Sequence, residues 1–193
     1  MDDVTSEIAD LREALAQTGR LIDATSPGQA GLPTPCEHWS VRDLVDHIVS
    51  ELVVLQAMAR GEQRRELRGD LSESDWSDQY RRRADETVAF WTERERDRAA
   101  SGASAHPLLG LTTMEMVIHG WDLAQATGQS APFDEPLAER VLAFAHGFVR
   151  PEGRAASRGA VGGNVPLGPA VQLADGAPAL PRLAAFLGRP AGG

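Results

Sequence analysis

"HWSVRDLVDHIVSELVVLQAMARG", residues 38 to 61, decides the fold class. Val41, Leu44, Val45, Ile48, Leu52, Leu55 and Ala59 recur at steps of three and four, which places them in one stripe along a helix. Ser40 stands just ahead of the stripe as an N-cap, and Asp43, three residues on, makes a carboxylate version of the capping box. Gly61 is the stop. A helix with one apolar stripe has to bury it against other elements, and the neighbouring segments carry the same period.

Upstream, Val4 to Ala24 repeats the pattern through Ile8, Leu11, Ala14, Leu15, Leu21 and Ile22, and Ser26-Pro27-Gly28 ends it. A loop with Pro33 and Pro35 follows. Downstream, a third helix is expected over about Glu73 to Ala99, with Trp76, Tyr80, Ala84, Thr87, Val88 and Trp91 inward. Ser101 to Gly110 reads as a loop. A fourth helix is expected to start at a Thr112 or Thr113 cap and to close at Thr127-Gly128, and a fifth to run from Leu137 to Val149. Beyond Pro151, Gly, Ala and Pro dominate through Gly176, and "PALPRLAAFLGR" offers a last turn or two of helix that docks on the body. Only Ala170 to Leu173 hints at alternation. The expected architecture is all-α, a bundle of about four core helices over residues 1–152 and a partly extended, Gly/Pro/Ala-rich tail over 153–193 that packs on it.

Composition narrows the function. With 193 residues and 42% hydrophobic content, the chain can bury one sizeable core. No run approaches the roughly 18 to 20 apolar residues of a membrane span, and the acidic, amphipathic start is not a secretory signal, so a cytoplasmic protein is expected. The net charge is −9, every basic residue is Arg, and acidic residues flank both Arg clusters, which argues against nucleic acid. A single cysteine, Cys36, excludes an intrachain disulfide and a Cys-rich zinc motif. Any metal must be held by His and carboxylate.

Two places offer such groups. In "TTMEMVIHGWDLAQATG", residues 112 to 128, Glu115 and His119 are one turn apart and Asp122 follows three residues later. Side chains four apart meet on one helix face and can chelate an ion. On a helical wheel, however, Met114, Val117, Ile118, Trp121 and Ala124 form the apolar face, so spacing alone reads the three as a solvated polar stripe. His47 flanks the stripe of the second helix, with Glu51 one turn on, a position typical of a half-buried packing histidine. Trp39 and Trp121 both read as core residues.

"TPCEHWSVRDLVDHIV" (residues 34 to 49) and "HGWDLAQATGQ" (residues 119 to 129) resemble the two signature stretches of the DinB-like superfamily, most closely its mycothiol-dependent maleylpyruvate isomerase N-terminal-like branch. The matching positions of the first stretch are Pro35, Cys36, Trp39, Val41, Leu44 and His47, and the tail resembles that of the shorter members. The resemblance implies a four-helix bundle holding a divalent metal, zinc first and nickel second, on His47, Glu115 and His119. It turns the polar stripe from water toward a metal cleft. Three ligands leave a coordination position open, and Asp122 is placed to accept a hydrogen bond from a ligand imidazole or a coordinated water. Where members often carry Gly or an acidic residue, this chain has His38, so Cys36 and His38 are further candidates at the site's mouth.

By the same resemblance the expected activity is that of a metal-dependent transferase or isomerase that uses a low-molecular-weight thiol, mycothiol, against an electrophilic small molecule. The extra C-terminal domain of the full-length isomerase is missing, so maleylpyruvate itself is not the expected substrate. The alternatives are a non-catalytic bundle that binds a metal or a small ligand, for which a homodimer is one arrangement, and a tailoring enzyme of specialised metabolism on the same fold.

Overall fold

The computed structural model describes residues 2–62, 75–101, 104, 106–149, 169–173 and 176–189. Among them are six α-helices and no strand: α1 (Asp2–Asp23), α2 (Val41–Ala59), α3 (Trp76–Ala100), α4 (Pro107–Thr127), α5 (Glu135–Phe148) and α6 (Ala179–Phe186). The all-α expectation holds. Ala170 to Leu173 forms no strand; the Val171 N–H donates to the carbonyl of Ala185 at 2.9 Å. Of the expected tail over 153–193, residues 153–168, 174–175 and 190–193 lie outside the described residues.

Helix α2 begins where its sequence says. Ser40 Oγ accepts from the Asp43 N–H at 3.3 Å, and the Asp43 carboxylate accepts from the Ser40 N–H at 2.9 Å, so two otherwise orphaned donors are satisfied reciprocally. The start of α4 differs from the expectation. His106, not Thr112 or Thr113, is its cap: His106 Nδ1 accepts from the Leu108 N–H at 3.1 Å, and Pro107 sits at the first helical position, where no N–H is needed. The two threonines lie inside the helix and donate back to the carbonyls of Leu108 (2.7 Å) and Leu109 (3.2 Å). A threonine hydroxyl can cap a helix or back-bond within one, and the sequence does not distinguish the two uses.

Helices α1 to α4 form the bundle, with α4 packed on both α1 and α2 and α3 packed on the same two. Helices α5 and α6 cover the outer side of α4. Polar ties fix the helices against one another. Thr18 Oγ1 donates to the Met116 carbonyl at 2.9 Å, Tyr80 Oη to the Leu15 carbonyl at 2.8 Å, and Gln56 Nε2 to Thr87 Oγ1 at 2.9 Å. Enclosed in this way, α4 is buried at every residue from Thr112 to Ala124.

At Gly120, α4 lies close against its neighbours. A methyl group there would lie 2.6 Å from the Phe133 ring and 2.9 Å from Thr18 Oγ1. Gly120→Ala should therefore lower stability by about 1 to 3 kcal/mol through overpacking. Equilibrium urea unfolding measures it, and an unchanged midpoint would show that this contact is slack.

Candidate metal centre

The enclosure of α4 overturns the reading of its polar stripe as solvated. Glu115 is 2% exposed, and His119 and Asp122 are fully buried. A wheel assumes one wet side, and α4 has none: the face opposite Met114 and Val117 meets α2 and the loop before it. From α2 comes His47, also buried, and its Nε2 lies 3.6 Å from Glu115 Oε2. His119 Nε2 lies 3.0 Å from the same oxygen. The donor atoms of His47, Glu115 and His119 all fall within 4.8 Å of one another.

The chemistry of this trio fits a cation. Glu115 Oε2 and His119 Nε2 are buried, and neither makes a hydrogen bond in spite of their approach. Buried polar atoms in that state are costly and ask for an explanation. Two imidazoles and a carboxylate are the donor set of many zinc sites, and ligand atoms about 2.1 Å from an ion lie roughly 3.4 Å apart at a tetrahedral angle. The 3.0 and 3.6 Å spacings bracket that value.

The other face of His119 is occupied. Its Nδ1 is 3.0 Å from Asp122 Oδ2, which can only accept when ionised, so Nδ1 carries the hydrogen and Nε2 faces Glu115. Burial would raise the Asp122 pKa, but the Arg189 guanidinium and the His119 imidazole bring it down to about 2. Burial would likewise raise Glu115, and His119 and His47 hold it below the usual carboxylate range. For His119 burial works downward, but Asp122, Cys36 and Glu115 prevail, and the metal-free imidazole is held well above 6.5.

The loop between α1 and α2 brings one more group, Cys36, to the cluster. Thr34 binds it together: its Oγ1 donates to the Cys36 and Trp39 carbonyls at 3.2 and 3.0 Å, and the Trp39 N–H closes a turn on the Cys36 carbonyl at 3.0 Å. The turn points Cys36 inward, where its thiol donates to Asp122 Oδ2 at 3.1 Å and stands 3.9 Å from His119 Nδ1. Cys36 thus reaches the cluster on the side of His119 away from Glu115. His38 does not reach it. Its side chain is 87% exposed, and its φ of 68° puts it in the left-handed region that favours glycine. His38→Gly should accordingly leave metal content unchanged in elemental analysis, and a loss of metal would return His38 to the candidate ligands.

Trp121 is 8% exposed and belongs to the core as expected. Trp39 corrects the expectation. It is only partly buried, and its ring centroid lies 4.7 Å from that of His47 and 5.9 Å from that of His119, so the indole covers both imidazoles.

Arg189 was not expected at the site. It is 2% exposed, its Nε donates to Asp122 Oδ1 at 3.2 Å and its Nη2 to Asp122 Oδ2 at 2.9 Å, and Nη2 is 3.5 Å from Cys36 Sγ. Cys36, His119 and Asp122 form a second potential donor group, and this guanidinium already supplies a positive charge there. An added cation therefore suits this second group less well than it suits the His47, Glu115 and His119 donors.

The family described as the mycothiol maleylpyruvate isomerase N-terminal domain matches residues 11–124, which include all three convergent donors and Asp122. Two uncharacterized proteins from two strains of Mycobacterium tuberculosis are each 33% identical to the chain over 179 residues, covering 83% of this chain and 85% of the relative. No solved structure gives a significant match. The buried His-Glu-His cluster stands within the matched residues, and the chain belongs to the mycothiol maleylpyruvate isomerase N-terminal domain family.

Proposed function

We propose that the protein is a metal-dependent transferase or isomerase that uses a low-molecular-weight thiol, mycothiol in the family's namesake, against an electrophilic small molecule. The observation that carries the reading is the convergence of His47, Glu115 and His119, with Glu115 Oε2 and His119 Nε2 buried without a hydrogen bond and Asp122 supporting the opposite nitrogen of His119. His47, Glu115 and His119 would hold the ion, zinc before nickel by donor type. When bound, it would supply the positive charge that lowers the pKa of a thiol or water placed beside it. Asp122 keeps the hydrogen of His119 on Nδ1 and so presents the Nε2 lone pair to the ion. Trp39, lying over both imidazoles, shields them from water and forms an apolar wall for a substrate. No helix among the described residues is long and apolar enough to cross a membrane.

The test is turnover. Zinc-loaded protein supplied with a thiol should accelerate the conversion of an activated electrophile, and metal-free protein should not. Equal rates with and without metal would sink the reading. A second reading, a bundle that binds a metal without catalysis, draws on the burial of the donors, which leaves a substrate little access. Full metal occupancy with no turnover over a panel of electrophiles would favour it.

A further inference from the structure

We propose that Arg189 is a positioning residue, through which docking of the C-terminal helix and loading of the metal site stabilise each other. The inference rests on the metal reading above and adds a part to it that lies outside the family-matched residues 11–124.

The geometry is built for this purpose from the sequence upward. Helix α6 docks by burying Ala179, Leu180, Leu183 and Ala184. Its first half is tied to α5: the Ala179 N–H donates to Glu135 Oε1 at 2.7 Å, and Arg182 Nη1 to Glu139 Oε1 at 2.9 Å. At its C-terminus the Gly188 N–H donates to the Ala185 carbonyl at 3.0 Å and the Arg189 N–H to the Ala184 carbonyl at 2.9 Å. These are the two bonds of a Schellman motif, with Gly188 at φ 84° as its left-handed residue. The motif reverses the chain so that the residue after the glycine points back into the protein. That residue is Arg189, and its fork closes on both oxygens of Asp122.

A bidentate guanidinium fixes the plane of the carboxylate it grips. Oδ2 of Asp122 is then the atom that also faces His119 Nδ1, so Arg189 sets the orientation of the His119 ring through Asp122. Outer partners of a ligand histidine commonly change metal affinity by about 10- to 100-fold. Coupling between two sites is reciprocal, so an ion at Nε2 should in turn hold α6 down.

The experiment measures zinc affinity by competition with a chromophoric chelator, and amide hydrogen exchange over residues 179 to 189, on the full chain. Arg189→Gln should still take up one zinc at saturation, with Kd raised about 10- to 100-fold. Arg189→Lys, which keeps the charge but not the fork, should fall between it and wild type. In an Asp122→Asn background, Arg189→Gln should add little further loss, because its effect runs through Asp122. A helix needed only for general stability would give additive losses instead. In the wild-type protein, zinc should slow exchange at 179 to 189, a measurement that decides the question even if the variants do not fold. A wild-type Kd in Arg189→Gln, additive losses in the double variant, or zinc-independent exchange would each overturn the proposal while leaving the metal site standing. Failure of the wild-type chain to bind zinc would overturn both.

Discussion

The His119→Ala protein should retain less than about a tenth of the divalent metal of the wild-type chain, which is expected to carry about one ion, and His47→Ala should do the same. The two substitutions remove donors from different helices. His119 shares α4 with Glu115, and the pair makes a one-turn chelate; His47 closes the trio from α2. With either gone, two donors remain, too few to keep an ion through gel filtration. Glu115→Gln is the informative companion, since it keeps the volume of a buried side chain while removing the charge. Asp122→Asn should behave differently, with metal still bound at saturation but about 10- to 100-fold more weakly. Elemental analysis after gel filtration reads the stoichiometry, and far-ultraviolet circular dichroism confirms that each variant is helical. A His47→Ala/His119→Ala double variant with wild-type metal content would remove the basis for the site.

The grading of these effects follows what the sequence could and could not convey. Helix α2 was legible because its information is local: a reciprocal Ser40–Asp43 cap followed by one apolar stripe. The polar residues of α4 were misread for the same reason. A wheel drawn from "MEMVIHGWD" knows the apolar side of the helix but not that α2 and the Cys36 loop cover the other side. Only the resemblance to a family pointed Glu115 and His119 inward. Arg189 carried no readable signal at all, because Asp122 lies 67 positions earlier in the chain. "FLGR" announces a helix stop, and the left-handed glycine that turns Arg189 toward Asp122 is visible only once α6 has been placed. Trp39 was misassigned on similar grounds. An aromatic residue next to an N-cap usually packs on its own helix, whereas here a tight turn at His38 lays it across two imidazoles.

Stability as a function of pH should separate the metal-loaded protein from the metal-free protein by the sign of their slopes. In the metal-free chain His119 has a raised pKa, since Asp122, Cys36 and Glu115 outweigh the effect of burial. A group whose pKa is raised on folding contributes stability that is complete below the unfolded value, about 6.5 for histidine, and is lost as pH rises through the folded value. Metal-free protein should therefore become less stable, if anything, between pH 5.5 and 7.5. An ion on His47 and His119 reverses this. Ligation needs neutral imidazoles, so it depresses their apparent pKa, and the stability it contributes is present above about pH 6.5 and fades as pH falls. Asp122, held at about 2, keeps its charge throughout the window and does not obscure the comparison. At a free ion concentration a thousandfold above Kd the metal would add about 4 kcal/mol, an amount easily seen as a shift in melting temperature. Thermal melts of zinc-loaded protein, and of protein stripped with chelator and then freed of it, give the increment at each pH. The increment should be large at pH 7.5 and much reduced at pH 5.5. An increment equal at the two pH values, or absent at 7.5, would show that these imidazoles do not hold the ion.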